Sequence, residues 1–126
     1  MLLNSLYIAA SPNKGSGVFT NAFIASGTLI EIAPMLVLPE KDCKLIDESF
    51  LYNYYFLWGD EHKNYALALG YGSLYNHSYQ PACKYETYYE DNTIHFITIR
   101  DVNEGEELTI NYNWDVNDKT PIWFDK

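Results

Sequence analysis

The chemistry-bearing residues of this chain concentrate in one run, Gly70-Tyr71-Gly72-Ser73-Leu74-Tyr75-Asn76-His77-Ser78, with Pro81 close behind. An amide, an imidazole and a hydroxyl stand side by side. The two glycines before them can take positive φ or let another group come close. Such a run can hold a polar ligand through side chains and freed backbone groups. It can equally be a polar turn between two strands. On these residues alone both readings stand. Two further segments carry comparable signals: Ser11-Pro12-Asn13-Lys14-Gly15-Ser16-Gly17-Val18-Phe19, and Ile99 to Tyr112, which contains Glu104-Gly105-Glu106-Glu107-Leu108-Thr109-Ile110-Asn111-Tyr112. A lone Gly-x-Gly is usually a turn.

The elements that must position these residues read as strands. Ser5 to Ala10 forms one, closed by a turn-rich stretch from Ser11 to Gly17, after which Val18-Phe19-Thr20 resumes. Thr28 to Leu38 is apolar and β-branched, with Pro34 and Pro39 marking an edge or a bend. The first half of Asp42 to Trp58 can be a short helix; the second half, Leu51 to Trp58, is too aromatic to classify by period. Tyr65 to Leu69 is a strand running into Gly70. Lys84 to Tyr89 and Thr93 to Arg100 form a hairpin around Glu90-Asp91-Asn92, the second strand apolar enough to be covered on both faces. A last strand holds Leu108-Thr109-Ile110. The expectation is a single mainly β domain over 1–126, with little helix.

Composition narrows the classes. The 126 residues are 48% hydrophobic and 17% aromatic, with 12 tyrosines, which suits a folded core rather than a disordered chain. The net charge is −9, and Lys14 is the one charged residue in the first 30, so all the acid excess lies beyond it. Such a surface disfavours nucleic acid and suits a lysine-containing basic protein or peptide; solubility alone is the plain alternative. Cys43 and Cys83 form no CxxC and cannot build a cysteine-rich zinc site, so no metal is expected and both read as small buried hydrophobes. The N-terminal run lacks a basic residue and is short for a signal peptide. No apolar run nears the roughly 20 residues of a membrane helix. A reducing, cytoplasmic setting follows as the expectation, with a host nucleus as the alternative if the source is a virus or a secreted effector.

In this order and spacing the three segments resemble the SET domain of protein-lysine methyltransferases, over roughly residues 5–125. The chain looks like the minimal viral or bacterial type, without cysteine-rich flanking modules. The resemblance implies a β-clip of small curled sheets, with the Asn-His-Ser segment and the C-terminal segment crossing in a pseudoknot. It implies S-adenosylmethionine as cofactor on one face and a substrate lysine, in a basic protein or histone-like tail, entering from the other.

The resemblance also assigns residues. Lys14, Gly15, Ser16 and Gly17 match the turn that approaches the cofactor's methionine part. Asn76 and His77 match positions binding its amino-acid and adenine ends, His77 largely through its backbone, which makes it a poor general base. Tyr112 matches the catalytic tyrosine, which also lies against the cofactor. Tyr54 best matches a second channel tyrosine, with Tyr52 as the alternative, and Tyr71 and Ile110 complete the expected substrate channel. Trp123, with Trp114 and Phe124, is placed to close over the adenine or to pack the core. Two departures stand out: Ala82 replaces the usual Asn after the Pro, and Ile110 supplies neither hydroxyl nor aromatic bulk where the family often has Phe or Tyr. Arg100 and Glu107 read as structural contacts. An exposed aromatic patch is compatible with a homodimer, and a catalytically silent peptide-binding module of the same fold is the alternative to an enzyme.

Overall fold

Alternating burial is what makes these segments strands. In Thr93–Thr98, Ile94, Phe96 and Thr98 are buried while Thr93, His95 and Ile97 are half-covered, the period-2 pattern of a sheet with one core face. The second face is therefore only partly covered, less than its apolar residues suggest. The computed structural model describes residues 1–12, 14–59, 61, 63–113, 117 and 119. In chain order its strands are β1 (Leu6–Ser11), β2 (Gly15–Thr20), β3 (Leu29–Leu38), β4 (Tyr55–Trp58), β5 (Asn64–Ala68), β6 (Asn76–His77), β7 (Cys83–Tyr88), β8 (Thr93–Thr98) and β9 (Glu107–Ile110). Between β3 and β4 lie one short helix, α1 (Cys43–Asp47), and single 3₁₀ turns at Glu40–Asp42 and Phe50–Asn53. The fold is mainly β, as expected.

Two sheets form, β1-β2-β9-β6 and β4-β5-β3-β8-β7. β1 and β2 pair from Leu6↔Thr20 to Ser11↔Gly15, so the first hairpin turn is tighter than the sequence suggests, and Gly15, Ser16 and Gly17 already belong to β2. Gly15 has φ 75°, which its position at the strand start requires and only glycine takes without strain. Pro34 does not mark an edge. β3 is central, and Pro34 sits where its partner changes: Leu29 to Pro34 pair with β8, Met35 to Leu38 with β5. Proline lacks a donor there, but its carbonyl still accepts from Leu69 N–H at 3.0 Å.

The core is shared by both sheets. Val18, Leu108 and Ile110 from the first meet Ile30, Ile94 and Phe96 from the second, all at most 1% exposed. Fully burying each such side chain stabilises the fold by about 1.5–3 kcal/mol. Cys83 is buried in this core as expected. Cys43 is not; it is half-buried at the start of α1, with long Sγ contacts to the carbonyls of Pro39 and Lys63. Among the described residues, no helix is long and apolar enough to cross a membrane and no three His, Cys, Asp or Glu residues converge on a metal position.

Candidate active site

The approach to the site is a bent segment pinned at both ends. After β5, Gly70 takes φ 64°, Gly72 N–H donates to Leu69 O at 3.1 Å, and Leu74 N–H to Tyr71 O at 2.9 Å. Any side chain at Gly72 would run into Ala68 Cβ and come within 3.2 Å of Ala33 Cβ, so β3 and β5 pack directly against this backbone. The buried Glu31 carboxylate of β3 accepts from Tyr71 N–H at 3.0 Å and from the Tyr75 hydroxyl at 2.7 Å. Burial raises the Glu31 pKa above the usual carboxylate range, against the pull of those two hydrogen bonds.

The chain then enters β6, which lies parallel to β9 with Asn76 opposite Thr109 and His77 opposite Ile110. Ser78 N–H continues the ladder to Ile110 O at 2.9 Å. This pairing sets the Asn76-His77-Ser78 segment beside the C-terminal motif strand.

Side chains from all three sequence segments converge beside β6. The Asn76 amide donates to Glu107 Oε2 at 2.7 Å and to Ser16 O at 3.1 Å, and Ser11 Oγ donates to Glu107 Oε1 at 2.7 Å. Lys14 Nζ donates to His77 O at 2.8 Å. A Cβ at Gly17 would collide with the Glu107 carboxylate and lie 2.8 Å from Asn76 Nδ2, so glycine there is a requirement of close approach. Glu107 is thus the hub of this cluster, whereas Arg100 pairs with the neighbouring Glu106 at 3.1 Å. The Asn103 backbone N–H, followed by Arg100, holds Glu106 below the usual carboxylate pKa.

His77 and Tyr112 lock together. Tyr112 N–H donates to His77 Nδ1 at 3.0 Å, so the neutral imidazole carries its proton on Nε2 and its Nδ1 lone pair is committed to the backbone. A ring buried to 4% exposure and engaged in this way is poorly arranged for proton abstraction. The Tyr112 hydroxyl donates to the Tyr75 carbonyl at 2.7 Å, immediately before Asn76. Burial, with the nearby Tyr54 hydroxyl and Glu107, pushes the Tyr112 pKa well above that of a free tyrosine, so it stays a neutral hydroxyl at working pH.

Beside Tyr112 opens a cavity of about 350 Å³, lined among others by Tyr54, Tyr55, Phe56, Tyr85 and Ile110, with no charged side chain among the described residues of its lining. Its walls come from β4 and β7, the two edges of the five-stranded sheet, brought together by its curl; Phe56 and Tyr85 meet edge-on with ring centroids 5.4 Å apart. Tyr54 and Ile110 line this cavity. Tyr52 lies outside the lining, edge-on to Tyr55 at 6.0 Å, and Tyr71 is also outside it, with its N–H on Glu31. Trp114, Trp123 and Phe124 lie outside the described residues. Ala82 is fully buried, its N–H donating to Thr109 Oγ1 at 3.1 Å, so a polar side chain there would need a partner inside the core.

Sequence reasoning did not single out Glu31, Tyr75, Phe56 or Tyr85, and read Glu107 only as a structural contact. Glu31 left a signal, one acid inside the apolar run from Leu29 to Leu38. Glu107 left none, being one of three glutamates around a turn.

With this geometry described, the chain can be set beside known proteins. It belongs to the SET-domain family, whose profile matches residues 15–113. A Schizosaccharomyces pombe histone-lysine N-methyltransferase specific for histone H3 lysine-37 is 29% identical over 99% of this chain and 80% of its own length. The histone-lysine N-methyltransferase SETD7 of Halocynthia roretzi is 29% identical over 94% of this chain, which spans only 36% of that protein. Among solved structures, a candidate histone methyltransferase of Plasmodium falciparum superposes with a TM-score of 0.64 at 28% identity, covering 85% of this chain and 96% of that one. An apo ctPRC2 structure with a substituted Ezh2 superposes at 0.75 and 18% identity over 87% of this chain and 15% of the other, a likeness of fold.

Proposed function

We propose that this chain, a SET-domain protein-lysine methyltransferase, takes its methyl group from S-adenosylmethionine and places it on a lysine of a basic, histone-like segment of another protein. The observation that carries this reading is the Tyr112 hydroxyl bonded to the carbonyl before Asn76-His77, at a cavity lined by aromatic side chains. The relatives named as histone-lysine methyltransferases support the substrate class, as does an acid excess of nine charges.

The residues beside β6 fit the cofactor. Its amino-acid end is zwitterionic and needs one cationic and one anionic neighbour; Lys14 lies on the His77 carbonyl, Glu107 on the Asn76 amide, and Gly17 keeps side-chain bulk away. When bound, S-adenosylmethionine supplies an electrophilic methyl on a sulfonium sulfur. Everything else falls to the protein. A lysine with a solution pKa near 10.4 is protonated at neutral pH and carries no lone pair to attack with. The aromatic lining of Tyr54, Tyr55, Phe56 and Tyr85 penalises the ammonium form and lowers that pKa. Tyr112 then orients the amine. A hydroxyl has two acceptor lone pairs besides its proton, so donation to Tyr75 leaves it able to accept an amine N–H. Alignment of the reacting atoms supplies the larger part of the rate. β4 and β7, the edge strands of the larger sheet among the described residues, lie beside the cavity and suit a peptide that adds as a strand.

The test is transfer of radiolabelled methyl from S-adenosylmethionine to core histones and to a basic peptide mixture, beside Tyr112→Phe. Wild-type transfer and a loss of about 10²-fold or more in the variant, with cofactor affinity kept, is the expected result. Cofactor binding with no transfer to any lysine would overturn the reading in favour of a silent binding module.

A further inference from the structure

Glu31 is the buried carboxylate of the described residues, at 2% exposure, and it lies outside the cavity lining. A carboxylate in a core is costly unless its oxygens are satisfied. Here both are satisfied by a single stretch of chain. Oε2 accepts from Tyr71 N–H at 3.0 Å and Oε1 from the Tyr75 hydroxyl at 2.7 Å. Gly70 makes the approach feasible, since a Cβ there would stand 2.5 Å from Oε2. The Tyr75 ring is 1% exposed and packs on Phe96 with centroids 4.3 Å apart, so its hydroxyl cannot turn to solvent. The carbonyl of the same residue receives the Tyr112 hydroxyl at 2.7 Å. Two hydrogen bonds, joined through one side chain and its own backbone, therefore lead from the central strand of the larger sheet to the hydroxyl at the cavity.

We propose that Glu31 is a positioning residue for methyl transfer: through the Tyr75 hydroxyl it fixes the Tyr75 carbonyl, and that carbonyl fixes the Tyr112 hydroxyl. The inference rests on Tyr112 orienting the amine. Glu31 touches neither substrate nor cofactor in this account. Its loss is felt in turnover rather than in binding, because a small displacement of an aligned group costs rate steeply.

Tyr75→Phe deletes the link and keeps the ring. In steady-state assays at a temperature where melting curves show every variant folded, kcat falls about tenfold, while the peptide KM and the cofactor Kd by calorimetry stay within about twofold. Glu31→Gln can still accept from Tyr71 N–H and donate to Tyr75, and it recovers most of the turnover that Glu31→Ala loses. Combining Tyr75→Phe with Glu31→Ala adds little to the larger single loss, as expected for one shared path. Wild-type kcat in folded Tyr75→Phe, or equal losses in Glu31→Gln and Glu31→Ala, overturns the proposal. Tyr112→Phe in the same assay separates the two claims. If Tyr112→Phe is inactive and Tyr75→Phe is not, only the role of Glu31 falls; if Tyr112→Phe turns over normally, the functional reading falls and this inference with it.

Discussion

The polar cluster beside β6 and the aromatic wall of the cavity are neighbours built on opposite principles. In the cluster, Ser11, Lys14, Ser16, Asn76, His77 and Glu107 bond one another across 31 to 96 residues of chain. In the wall and behind it the contacts are ring against ring: Phe56 with Tyr85 across the two edge strands, with Phe50 behind Tyr54 and with Tyr52 and Tyr65 behind Tyr55. The Phe50–Asn53 turn is held by Ser49, whose hydroxyl caps Leu51 N–H at 3.2 Å, and Phe50 remains 74% exposed. Hydrogen bonds specify distance and direction, so the cluster tolerates one arrangement. Apolar ring contacts are non-directional by comparison, and the wall can accept changes of shape. The difference suits the proposed division of labour, an invariant cofactor at the cluster and a variable peptide at the wall.

Substitutions can break that contrast or sharpen it. The largest effect is expected at Gly17. Gly17→Ala drives a methyl into Glu107 and Asn76, which costs about 1–3 kcal/mol of stability and abolishes cofactor binding by calorimetry. Gly27→Ala, away from the cluster, is the control: its φ of 83° strains any other residue, but nothing lies within 4 Å of the new Cβ. A cost of about 1 kcal/mol with cofactor affinity kept is expected there. If both variants bind cofactor equally well, close approach at Gly17 is not what shapes the cluster.

A smaller, pH-dependent effect belongs to Glu31. Its folded pKa is raised, so the folded state holds its proton more tightly than the unfolded chain does. The sign follows: this contribution to stability is fully present below the unfolded value near 4.5 and is lost as pH rises through the raised folded value. Glu31→Gln does not titrate, so the stability of the wild type relative to Glu31→Gln declines across that window in urea titrations. A difference that stays flat or grows with pH would contradict the burial argument. The smallest effect is expected at Phe50, which backs the wall through Tyr54. Phe50→Ser changes stability by no more than about 0.5 kcal/mol, and any change in activity appears in the peptide KM with cofactor affinity intact.

Much of this organisation was legible before folding was considered, and the residues show why. The hairpin of β7 and β8 announced itself through alternation, and Asn92, at φ 53°, sits in the turn the sequence marked. The segment from Gly70 to Ser78 stood out because its residue types are unusual together. What stayed hidden depends on partners far away in the chain. Pro34 looked like an edge marker because a missing donor usually is one; only the pairing of β3 with β8 on one side and β5 on the other shows that it marks a handover. The resemblance favours Tyr54 and leaves Tyr52 as the alternative, and the turn at Phe50–Asn53 puts Tyr54 on the cavity and Tyr52 against Tyr55.

Residue types and local pattern by themselves determined the mainly β class, the three motifs and their family, because alternation, turn chemistry and motif spacing are local properties. Tertiary structure alone decided that Glu107 is the hub of the polar cluster, that His77 commits its Nδ1 to Tyr112, and that Glu31 reaches the site through Tyr75. The physical reason is the same in each case. A hydrogen bond forms only where folding brings donor and acceptor within about 3 Å, and no local feature of either residue encodes a partner that lies 31 to 44 positions away.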